Sequence, residues 1–122
     1  MAGKKKTLVL GASSNPSRYS YLAIQRLRFH NHPVLAVGRR IGNVAGVDIS
    51  KDIIKDDEVD TITLYLNPAN QEQYYDYILN LQPKRIIFNP GTENEKLIRM
   101  AQEKNIEPVL GCTLVMLTTG QY

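Results

Sequence analysis

Unbroken apolar runs alternate with stretches of helical spacing along the chain, and that alternation predicts the fold. Thr7-Leu8-Val9-Leu10 is apolar without a break, which suits a strand buried on both faces of a parallel sheet. Asn15-Pro16 then reads as a helix start, Asn at the N-cap and Pro at the first helical position. From Tyr19 to about Asn31 the spacing of Ala23, Ile24 and Leu27 predicts a helix buried against the sheet. Asn31-His32-Pro33 ends it, and Pro33–Val37 reads as the second strand. Gly38 to Gly46 reads as a loop with a short edge strand around Val44–Val47, and Ser50 to Asp57 as a short helix. Thr61–Leu66 is β-branched and aromatic, hence a strand. Ala69–Leu81 is helical by its Tyr74/Ile78 and Tyr75/Leu79 pairs, with Pro83 closing it. Arg85–Phe88 is the next strand. Thr92-x-x-Glu95 matches a capping box at the head of a helix carrying Leu97, Ile98 and Ala101. Asn105 marks its end, and Ile106–Leu110 is the last strand.

Alternation of this kind implies an α/β, Rossmann-like, doubly wound and mostly parallel sheet with helices on both faces. At 122 residues it fits a single domain, 1–122. A net charge of +3 is mild for a nucleic-acid binder, and no apolar run approaches the length of a membrane span. The single cysteine excludes an internal disulfide and fits a reducing cytoplasm.

In such folds the ligand lies beyond the C-terminal ends of the strands. After the first strand come Gly11, Ala12, Ser13 and Ser14, then Asn15, Pro16, Ser17, Arg18 and Tyr19. Small residues followed by a helix N-terminus make an anion site, because free N–H groups and the helix dipole point outward there. Without a ligand the same stretch would be only a tight strand-to-helix connection. Three strand exits carry Asn-Pro: Asn15-Pro16, Asn67-Pro68 and Asn89-Pro90-Gly91.

The second strand ends in Val37-Gly38-Arg39-Arg40. A dinucleotide site for NAD needs an acid there to receive the ribose hydroxyls, whereas guanidinium groups suit a phosphate on that ribose. The residues therefore favour coenzyme A or NADP over NAD, and position alone does not separate the two. Arg18 is a further cation for phosphate. No catalytic set is expected: His30 and His32 fall at the opposite edge of the sheet, as surface residues at a helix end. One cysteine and two misplaced histidines give no metal cluster. The acids Asp52, Asp56, Asp57, Glu58 and Asp60 read as a solvated face.

Taken together, GASSNPSRYSY at Gly11–Tyr21, VGRR at Val37–Arg40, LYLNP at Leu64–Pro68, FNPGTENEKL at Phe88–Leu97 and GCTLVML at Gly111–Leu117 resemble the small single-domain CoA-binding proteins. These are similar to the N-terminal CoA-binding domain of the succinyl-CoA synthetase alpha subunit. The resemblance implies that Ser13, Asn15, Pro16, Ser17, Arg18 and Tyr19 surround a diphosphate and that Arg39 and Arg40 meet the adenosine phosphate. It implies that Asn67 and Pro68 lie on the adenine and ribose side, with Asn89, Pro90 and Gly91 further along the crevice. Cys112 falls where the synthetase domain also has a cysteine, so a pantetheine thiol reaching past the last strand would meet this sulfur and, with an oxidant to take up two electrons and two protons, form a mixed disulfide. The expected role is binding of CoA or acyl-CoA without chemistry of its own, as sensor, carrier or subunit beside a partner enzyme. NADP binding, a small oxidoreductase fragment, or an interaction module are the alternatives. Leu114–Leu117 is apolar and uncharged enough to pack against a second copy in a homodimer.

Overall fold

A computed structural model describes residues 3–122. The apolar runs are strands: β1 (Thr7–Leu10), β2 (Val34–Val37), β5 (Thr61–Leu64), β6 (Arg85–Phe88) and β7 (Glu107–Leu110). β3 (Gly42–Val44) and β4 (Val47–Ser50) complete a seven-stranded sheet in the order β3-β4-β2-β1-β5-β6-β7. All pairings are parallel except β3 with β4. The order reverses between β2-β1 and β1-β5, so the fold is a Rossmann-like α/β sheet with its switch point beside β1.

The helices are α1 (Tyr19–Phe29), α2 (Pro68–Gln71), α3 (Tyr75–Leu81), α4 (Glu95–Glu103) and α5 (Thr113–Thr118). They cover both faces. α1 buries Ala23, Ile24 and Leu27, as their spacing predicts, and packs with α5 over Val9 and Ala36. α3 and α4 set Ile78, Leu97 and Ala101 against Leu8, Leu10, Ile62, Leu64, Ile86 and Phe88. Each of the leucine, isoleucine and phenylalanine side chains, removed from water, contributes about 1.5–3 kcal/mol, so the strands flanking the switch point are firmly held.

Several boundaries differ from the sequence expectation, each for a local reason. Asn15-Pro16 does not start the helix. The Asn15 Oδ1 accepts from the Ser17 N–H at 3.0 Å and from the Ser17 hydroxyl at 2.8 Å, which closes a turn, and α1 begins at Tyr19. Val44–Val47 is not one edge strand but the bend of the β3–β4 hairpin, with Ala45 and Gly46 at φ of 51° and 82°. Ser50–Asp57 forms no helix, because side chains claim its backbone. Ser50 Oγ accepts from the Asp52 N–H, and the Tyr77 hydroxyl both accepts from the Ile54 N–H (3.0 Å) and donates to the Ile54 carbonyl (2.6 Å). Asp56, far from being merely solvated, pairs with Lys6 at 2.8 Å. The helix expected over Ala69–Leu81 is broken by a 3-10 turn at Glu72–Tyr74 and ends at Gln82 in the left-handed region. α4 is capped by Asn94, whose Oδ1 accepts from Lys96 and Leu97, and not by Thr92.

On the α5 side the sheet carries hydroxyls among its aliphatics. Thr63 Oγ1 meets Thr113 Oγ1 at 2.8 Å, Arg85 Nε donates to Thr61 Oγ1, and Thr7 Oγ1 bonds the Tyr122 hydroxyl. The Tyr122 ring stacks on His32, which is buried, contrary to its expected place on the surface. His32 Nδ1 accepts from the Lys5 N–H at 3.0 Å. Burial, then the nearby cations of Lys4, Lys5, His30 and Arg85, hold its pKa below the usual histidine value. At the sheet margin, the Glu107 and Gly111 N–H groups bond back to β6, so Pro108 between them falls on the open side of β7.

Candidate functional site

Beyond the C-terminal ends of β1, β2, β5 and β6 lies a cleft of about 830 Å³. Two close approaches shape its floor. Gly11 has φ of +92°, and a Cβ there would stand 2.8 Å from the Tyr65 carbonyl group. A Cβ on Gly38 would stand 2.1 Å from the Ala12 carbonyl oxygen. The Gly11 and Ala12 N–H groups both donate to the Val37 carbonyl at 2.9 Å, locking the β1 and β2 exits together. The chain then turns away from the sheet with its next amides unused.

The turn satisfies part of itself. Ser13 Oγ accepts from the Asn15 N–H at 3.0 Å, and the Arg18 N–H donates to the Asn15 carbonyl at 3.0 Å. Not all amides of Ser13–Ser17 are therefore offered to a ligand. Among the described residues, the N–H groups left without a partner here are those of Ser13 and Ser14, with Tyr19 and Ser20 in the first turn of α1. That turn has no side-chain cap and no acidic residue, so its dipole is unanswered by the protein.

Cations answer each other across the same end. Arg18, Arg39 and Arg40 all line the cleft, no acidic side chain does, and none of the three is within ion-pair distance of a carboxylate among the described residues. The loop carrying the arginines is held close because Gly42 lies against the Ser14 side chain.

The far wall is formed by the β5 and β6 exits. Gln71, fully buried, joins them: its Nε2 donates to the Leu66 and Thr92 carbonyls, each at 2.8 Å. Its Oε1 accepts from Asn94 Nδ2 at 2.9 Å. Asn67 Oδ1 caps α2 by accepting from the Asn70 N–H at 2.9 Å.

Gly11, Ala12, Ser13, Asn15, Arg18, Tyr19, Arg39, Arg40, Asn67, Pro90 and Gly91 sit on the cleft wall, where the sequence placed them. The remaining candidates do not. Pro16 and Ser17 belong to the self-bonded turn; Gly38 is packed beneath Ala12; Pro68 begins α2. Asn89 is buried, its Nδ2 donating to Thr63 Oγ1 and the Leu64 carbonyl and its Oδ1 accepting from the Thr113 N–H, so it braces the sheet. Cys112 is half-buried at the head of α5, off the wall.

Ser14, from the small-residue turn, also lines the cleft, as do Ser20, Tyr65, Leu66, Asn70 and Thr92, which were not singled out. Tyr65 could have been found from strand alternation, since its neighbour Leu64 points into the opposite core. Tyr65 lines the cleft while its hydroxyl is buried without a partner, and burial raises its pKa.

Among the described residues no group of His, Cys, Asp and Glu could hold a metal ion, and no helix is long and apolar enough to cross a membrane. In the apolar segment Leu114–Leu117, Leu117 is buried, Leu114 and Met116 are half-buried and Val115 is exposed.

A family model described as a CoA binding domain matches residues 5–118. A solved structure of an uncharacterized protein is 53% identical over 99% of this chain and 100% of its own, with a TM-score of 0.96. A hypothetical protein from Pyrococcus horikoshii OT3 shares the fold at 21% identity, with a TM-score of 0.84 over 97% of this chain and 84% of its own. An acetyl-coenzyme A synthetase 1 from Ca. Korarchaeum cryptofilum contains the same fold at 18% identity, with a TM-score of 0.71 over 89% of this chain and 26% of its own. No curated protein matches the chain.

Proposed function

The chain belongs to the CoA binding domain family, and on that premise we propose that it binds coenzyme A, free or as a thioester, in the cleft beyond β1. One observation carries the reading: Arg18, Arg39 and Arg40, unpaired by any acid, converge on the uncapped N-terminus of α1. Such an arrangement suits several phosphate groups at once, because N–H donors and guanidinium groups form charge-assisted bonds with phosphate oxygens. The diphosphate would take the Ser13, Ser14, Tyr19 and Ser20 amides with Arg18. The ribose phosphate would take Arg39 and Arg40.

The chain would do no chemistry of its own, a partner supplying the catalytic groups. This is supported by the Korarchaeum synthetase, in which the same fold is about a quarter of a longer chain.

Thermal shifts with CoA, dephospho-CoA, NADP and NAD test the reading. A ligand at 100 times its Kd adds about 2.7 kcal/mol of stability. CoA should raise the melting temperature and dephospho-CoA much less. Replacing both guanidinium groups, Arg39→Ala with Arg40→Ala, should weaken CoA about ten- to hundredfold and leave dephospho-CoA little changed. An NADP shift without a CoA shift, or four flat traces, overturns it.

A further inference from the structure

The cleft is electrically lopsided. Its cations all stand at the β1 and β2 exits, beside the unused amides of Ser13, Ser14, Tyr19 and Ser20, whereas the unused Leu66 and Asn67 amides at the β5 exit have no cation next to them. The β5 and β6 end has no charged side chain on its wall, and much of its polar capacity is already spent. Leu66 and Thr92 give their carbonyls to Gln71, Thr92 Oγ1 donates to the Asn89 carbonyl, and the Gly91 N–H donates to Glu93 Oε1. That end is also unroofed: Pro90 and Gly91 are exposed, and nothing lies within 4 Å of where a Cβ on Gly91 would stand.

A ligand with a polyanionic head and a neutral amide-bearing arm has one favourable direction in such a groove. Phosphates go to the arginine end, and the arm runs over Tyr65 and Leu66 and leaves past Gly91. Selecting an acyl group would take an enclosed apolar cavity at the end of the arm, because discrimination between apolar groups comes from surface removed from water. The arm instead ends at an open rim.

We propose that the cleft recognises the phosphorylated nucleotide head alone and presents the thiol or thioester outward past Gly91, so that CoA and its thioesters bind alike whatever the acyl group. The inference rests on the cofactor reading above and adds direction and substrate class to it.

Calorimetric titration with five probes decides it: CoA, acetyl-CoA, octanoyl-CoA, adenosine 3′,5′-bisphosphate and pantetheine. The three CoA species should agree within about threefold, the bisphosphate should follow within about tenfold, and pantetheine should give no heat. Asn70→Trp, which fills the uncharged end from an exposed position on α2, should weaken CoA about tenfold and leave the bisphosphate unchanged. A preference of more than about tenfold for one acyl group reveals a selective acyl site and overturns the proposal. So does a bisphosphate that fails to bind where CoA does, or an Asn70→Trp effect equal on both ligands. A flat CoA titration is a different failure, since it removes the cofactor reading itself.

Discussion

Gln71→Met removes the one side chain that ties the two halves of the far wall together. Methionine keeps the length and most of the volume, so packing changes little. What is lost is polar. Two bonds from Nε2 to the Leu66 and Thr92 carbonyls disappear, as does the bond that Oε1 accepts from Asn94. Asn94 Nδ2 keeps its second partner, the Tyr75 hydroxyl at 2.8 Å, but the two carbonyls lose theirs. At about 1 kcal/mol net per buried hydrogen bond, and more where an acceptor is stranded, the cost is about 2–4 kcal/mol. Against a total of about 5–15 kcal/mol this is a large fraction. Urea unfolding followed by circular dichroism should show the midpoint falling by about 1–2 M at an unchanged slope. Gln73→Met, on an exposed neighbour that makes only a 3.4 Å contact to the Asn70 carbonyl, should cost under about 0.5 kcal/mol. The folded variant should also bind CoA more weakly, because the β5 and β6 exits are no longer spaced by a common brace. If Gln71→Met unfolds at the same urea concentration as Gln73→Met, the brace is not holding the wall and the argument fails.

Gly38→Ala places a methyl group 2.1 Å from the Ala12 carbonyl oxygen, so the β1 exit must move. A loss of about 1–3 kcal/mol in urea titration, with weaker CoA binding, is expected, and an unchanged variant refutes the close approach. His32 gives a pH dependence. Its folded pKa lies below the ordinary 6.5, so between the two values the unfolded chain holds more protons. The stabilisation is complete above pH 6.5 and is lost as pH falls through the folded value. His32→Asn, which can still accept from the Lys5 N–H, should flatten that part of the urea midpoint against pH; an identical slope in the variant assigns it elsewhere.

How much of this was legible in the sequence depended on whether a residue's partner was near in sequence. β1, β5 and β6 were read directly from apolar and β-branched runs, and the burial of Ala23, Ile24 and Leu27 followed from spacing alone. The three Asn-Pro pairs looked alike and do three different things. Asn15 closes a turn, Asn67 caps a helix, and Asn89 spans β5, β6 and α5 from the core. All three were read as ligand contacts, but only the third depends on residues 24 to 26 positions away, and it alone is buried. The expected helix over Ser50–Asp57 failed for the same reason, since Tyr77 and Lys6 decide that segment. The β3–β4 hairpin was half legible as an edge strand around Val44–Val47, but its bend at Ala45 needs a positive φ that alanine seldom signals. Of the cleft, the arginines and small residues stood out by chemistry and Tyr65 was there to be read from strand alternation, while Leu66 and Thr92 become wall residues only once the exits are assembled.

Pro108 bears on how copies of this protein can meet. A strand at the margin of a sheet normally offers its outward amides as a template for another chain. Here the ring of Pro108 stands where one of those amides would be, and the opposite margin is the three-residue strand Gly42–Val44. Neither rim invites backbone zippering, so fibre growth by strand addition is discouraged at both ends.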